Sequence, residues 1–145
     1  MSSHQDVESL LRNIVSVSQA ASRTLAEAAS YFEDEGARDF ILESAREHEE
    51  VARELIGVAS EHGLYGVTVD AVQGGGIRFG SSGQEMTTVV DVTQKVVGLF
   101  EHALQRTLPP EVGEVVEVFA RRANDRLTTM NELPGSSTIK IPIGG

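Results

Sequence analysis

Apolar positions recur at three-and-four spacing through most of the chain. From about Asp6 to about Asp34 the stripe is Leu11, Ile14, Val15, Ser18, Ala21, Leu25, Ala28 and Phe32, which predicts an amphipathic helix. Ser3 or Asp6 can cap its start, and Glu35-Gly36 interrupts the pattern. A second stripe, Ile41, Ala45, His48, Ala52, Leu55 and Ala59, is flanked by Phe40, Val51 and Ile56 and predicts a helix from about Ala37 to Glu61. His62-Gly63 is its stop, because glycine adopts the left-handed conformation that closes a helix. A third helix is expected from about Gln84 to Thr107, with Met86, Val89, Val90, Thr93, Val96, Val97, Phe100, Ala103 and Leu104 inward. Pro109-Pro110 then opens a fourth, striped by Val112, Val115, Val116, Phe119, Ala123, Leu127 and Met130.

Two stretches break this rhythm. Residues 63–84 hold seven glycines, and "GVTVDAV" and "IRF" flank "QGGG" there, a weak hairpin signal. Residues 133–145 combine the linker "LPGSS" with the tail "TIKIPIGG". The fold expected is all-α: a four-helix bundle over residues 1–132, then a linker and extended tail. The short joints make helices 1 and 2, and helices 3 and 4, antiparallel pairs. The Gly-rich connection at 63–84 is long enough to cross the full bundle, the one-crossover topology of ferritin-like folds. An up-down bundle with a loose central loop is the alternative.

Charge narrows the partners. The formal net charge is -10. Such a surface repels phosphate backbones and argues against nucleic acid, while it suits metal cations or basic partners. The chain has no cysteine, so thiolate metal sites and disulfides are excluded and a reducing, cytoplasmic setting is the natural expectation. No apolar run approaches ~18 residues, so neither a membrane span nor a signal peptide is expected.

Three segments carry a family likeness. "LAEAASYFEDEGARDFILESAREHEEVAREL" (25–55) resembles the first helical hairpin of ferritin-like bundles, and is closest to a poorly characterised bacterial group of them. "LFEHALQRTLPPEV" (99–112) resembles the turn into that group's last helix, and "NDRL" (124–127) sits where related proteins often carry a histidine before "DR". The resemblance spans the four helices and leaves out the Gly-rich crossover and the tail. It implies a ferritin-like fold, a stress-related role, and iron or another divalent metal as the group such a bundle would hold.

A di-iron bundle takes Glu-x-x-His from each of two helices, because residues three apart on a helix reach the same metal pair. Here Ala45 precedes His48, Ala59 precedes His62 and Leu99 precedes His102 at that distance, and Asn124 stands where the resemblance expects a histidine. The motif is absent; the candidate metal ligands are Glu27, which by resemblance matches a ferritin-like first-helix glutamate by position, with Glu47 and His48 on the second helix. His48 has three readings. It is a buried neutral histidine hydrogen-bonded to the first or fourth helix, a metal contact near Glu27, Glu47 or Asn124, or a pH-sensitive packing residue. Glu43, Glu47, Glu50 and Glu54 form one acidic row, expected to face solvent. "GGGIRFGSSG" lacks the Gly-Lys-Ser/Thr ending of a phosphate loop.

The tail supplies the partner-binding candidates. Ile139, Ile141 and Ile143 alternate with Lys140 and Pro142, so an extended chain projects all three to one side. Such a tail suits strand addition on a neighbouring subunit or another protein, and it looks like the short tails that load ferritin-like cargo into protein shells. The leading expectation is a non-catalytic, self-associating bundle that docks through its tail. The alternative is iron binding or oxidation within the bundle.

Overall fold

The computed structural model describes residues 4–67 and 85–133. Four helices fill them: α1 (His4–Ala29), α2 (Glu35–Glu61), α3 (Glu85–Leu104) and α4 (Pro110–Glu132). No strand occurs among the described residues. The expected hairpin, most of the Gly-rich crossover, and Ile139, Ile141 and Ile143 lie outside them.

The helices begin and end where local chemistry dictates. α1 stops five residues before the expected Asp34. Ser30, Tyr31 and Phe32 donate their N–H groups to the carbonyls three residues back, which tightens and closes the last turn. Asp34 then serves as N-cap of α2, its carboxylate accepting from Ala37 N at 2.8 Å. This moves the break from Glu35-Gly36, which instead lie in the first turn of α2. Arg38 fastens the intervening turn by donating to the Phe32 carbonyl at 3.3 Å. At the other end of α2, Gly63 has φ +80°. Leu64 N reaches the Ala59 carbonyl and Gly63 N the Ser60 carbonyl, the paired closure of a Schellman motif.

The predicted stripes become the core. Leu11, Ile14, Val15, Leu25, Ile41, Leu55, Val89, Val96, Phe100, Val116 and Met130 have no accessible surface or almost none. Leu104 departs from expectation: it is the last residue of α3 and is 40% exposed. Ser18 takes its expected place in the α1 stripe, fully buried, yet its hydroxyl has no hydrogen-bond partner among the described residues.

α1 packs against α2 and α3, and α4 packs against the same two. The α1–α2 interface is the most extensive and α2–α4 the least. Three side-chain contacts fix the directions. Gly66 N donates to the Glu8 carboxylate at 2.6 Å, bringing the end of α2 to the start of α1. A side chain at Gly66 would run into that carboxylate, with the Glu8 Cδ only 2.6 Å from an added Cβ. His62 Nε2 lies 2.6 Å from Glu111 Oε1, so the end of α2 also meets the start of α4. Thr93 Oγ1 contacts Met130 Sδ at 3.4 Å, so the first half of α3 meets the end of α4. Val67 and Glu85 therefore lie towards opposite ends of the bundle, and every neighbouring pair of helices is antiparallel.

Candidate functional site

The charged residues that reach inward gather in the α2–α4 seam. Glu47 leaves the acidic row to do so. Glu43, Glu50 and Glu54 are exposed as expected, but the Glu47 side chain is only 13% exposed and points at α4. Arg126 Nε donates to Glu47 Oε1, and Arg122 Nη1 approaches Oε2 at 3.6 Å. Arg126 also donates from Nη1 to Ser44 Oγ at 3.2 Å, and that hydroxyl in turn donates to the Phe40 carbonyl at 3.0 Å. Both guanidinium groups lie over aromatic faces, Arg126 over Phe40 at 5.3 Å and Arg122 over Phe119 at 5.5 Å. The residues come from α2 (Phe40, Ser44, Glu47) and α4 (Phe119, Arg122, Arg126), and helical spacing places each set on one face.

His48 is next to Glu47 on α2 and is 5% exposed, as its place in the apolar stripe predicts. Burial pushes its pKa from 6.5 down to about 4, and the positive charge of Arg126 adds to the shift. The imidazole is therefore neutral near pH 7. The hydrogen bond expected for it does not form among the described residues. The two neighbours are thus treated oppositely: Glu47 is matched by cations, whereas His48 is held uncharged.

Of the sequence-predicted metal ligands, Glu47 and His48 are neighbours, but Glu27 is exposed on α1, and Asn124 is exposed on α4. Glu47 is already engaged by two arginines. Among the described residues no group of three or more His, Asp or Glu side chains stands where it could hold a metal ion. Sequence reading missed Ser44, Arg122 and Arg126. The signal available was the pair of arginines four apart on α4, one of them within "NDRL", on the border of the apolar stripe. A guanidinium there can lay its stem on the core and reach a carboxylate across the seam.

Beside this cluster the seam has a groove of about 330 Å³ lined by Val115, Val118 and Phe119, by Glu50, Glu54 and Glu114, and by Arg122. Val118 is 43% exposed. No described helix is long and apolar enough to cross a membrane. Set against protein-family models and curated proteins, the chain matches no family model and no curated protein.

Proposed function

We propose that this protein is a non-catalytic, ferritin-like bundle that self-associates by docking its C-terminal Ile-rich tail on a neighbouring copy. The carrying observation is the regular alternation of Ile139, Ile141 and Ile143 after a Pro-Gly-Ser-Ser linker. A segment of that pattern has an apolar face that it cannot bury alone. The groove in the α2–α4 seam supports the reading, since Val115 and Val118 offer apolar contact for isoleucines and Glu50, Glu54 and Glu114 offer carboxylates for Lys140. Burying three isoleucines at ~2 kcal/mol each gives ~6 kcal/mol gross, before the cost of ordering the tail. That suits reversible association. The antiparallel arrangement of all neighbouring helices, with α2 ending and α3 beginning at opposite ends, supports the ferritin-like topology. The engagement of Glu47 by Arg122 and Arg126 supports a structural rather than metal-binding role for the inward-facing acid.

Deleting residues 136–145 tests this. Light scattering should show a larger species for the full chain than for the truncated one, and amide exchange should be slowed at residues 139–143 in the full chain. Equal masses, with unprotected tail amides, would refute the reading.

A further inference from the structure

The opposite face of the bundle carries a different charge pattern. Between the first half of α1 and the end of α3 lies a groove of about 760 Å³. Arg12 enters it from α1, and His102 and Arg106 from α3 and the turn that follows. Leu10 and Leu99 are half-buried in its wall, and Asp6 is its one acidic residue. Four of the other described arginines are matched by carboxylates. Arg46 meets Glu43, Arg121 meets Glu117, and Arg122 and Arg126 meet Glu47. Arg38 is spent on the carbonyls of a turn. Arg53 lines a groove with Glu49, Glu50 and Glu54. Arg12 and Arg106 line one groove from two elements, and neither forms an ion pair with the described residues.

Two guanidinium groups lining one groove can offer an anion charge-assisted hydrogen bonds from two elements. We propose that this groove binds a small organic phosphate, its oxygens held by Arg12 and Arg106 and its apolar part against Leu10 and Leu99. The planar fork of arginine matches two phosphate oxygens at once, and forks arriving from different elements can take different oxygens. Ser9, Asn13 and Ser16 also line the groove, and their three-and-four spacing on α1 brings a second row of neutral donors to the same edge. The volume falls within the few hundred to ~1,000 Å³ usual for small-molecule sites. A nucleic acid is disfavoured, because a polymer leaving the groove would meet the surface of a chain whose net charge is -10.

The test is titration of the full-length protein at low ionic strength with inorganic phosphate and, separately, phenyl phosphate, followed by amide chemical shifts. Saturable shifts confined to residues 6–16 and 99–106 are expected, with phenyl phosphate binding more tightly than inorganic phosphate. Arg12→Ala with Arg106→Ala should weaken binding about tenfold or more, given the strength of charge-assisted hydrogen bonds. Arg12→Lys with Arg106→Lys keeps the charge without the fork and should recover only part of it. Arg53→Ala, on the other face, should leave binding unchanged. Absence of saturation up to about 10 mM would overturn the proposal. So would an equal loss on Arg53→Ala, or full recovery in the double lysine variant, since either would mean diffuse attraction rather than a site.

Discussion

Ser18 illustrates how a single atom can be misplaced energetically inside a correct pattern. Its position follows from helical spacing, but its unpartnered hydroxyl is a property of what packs around it, which no periodicity reveals. A buried polar group without a hydrogen bond costs ~1–3 kcal/mol. Ser18→Ala should therefore raise the unfolding free energy by ~1 kcal/mol, measured by urea denaturation; a loss of stability would show that the hydroxyl has a partner. His48 makes the opposite point, because its burial was legible from Ala45 and Ala52 beside it at helical spacing. Its folded pKa of about 4 lies below the unfolded 6.5, so the unfolded chain binds the proton more readily. The associated stability is complete above pH ~6.5 and falls as pH drops towards 4, by about 3 kcal/mol in all at 1.36 kcal/mol per unit. His48→Leu should flatten the stability profile across that window, beneath whatever slope the carboxylates contribute. A profile with unchanged slope would place the imidazole outside the core.

Among the elements, α2 and α4 share the smallest of the four helix interfaces, and the Glu47 cluster ties it together. Both partners are mostly buried, with side chains 13% and 23% exposed, so removing one strands the other in a poorly solvated place. A double-mutant cycle over Glu47→Gln and Arg126→Met should give a coupling of ~1–3 kcal/mol, within the range for groups in one network. Coupling below ~0.5 kcal/mol would reduce the pair to a surface contact. The four helices themselves were readable from apolar spacing, and the close of α2 from Gly63. The site was readable only in part. A carboxylate in a row of like charges gives no sign that it turns inward. That depends on Arg122 and Arg126, roughly 80 residues away in sequence. The start of α2 was likewise obscured, since Asp34 caps it from within a run of acidic residues that reads equally well as loop.

At the scale of the molecule, two helical hairpins, α1–α2 and α3–α4, lie side by side, and the chain between them joins opposite ends. Tail docking on another copy and anion binding in the α1–α3 groove would use different sides of this arrangement, so neither needs to disturb the other. The joint also separates two kinds of contribution. Within each hairpin, contacts are between residues near in sequence; between the hairpins, they are between buried faces that fit whether or not a peptide bond connects them. To the hairpins a covalent tether supplies effective concentration, on the order of mM for short linkers, and not the interface itself. Residues 1–67 and 85–145 produced as separate polypeptides should therefore be poorly helical apart and should regain helix when mixed, forming a one-to-one complex by native mass. A mixture whose circular dichroism equals the sum of its parts would mean that the joint does more than tether. Reassembly would make this bundle a split protein by construction, its two halves already marked out by the ends at which α2 stops and α3 starts.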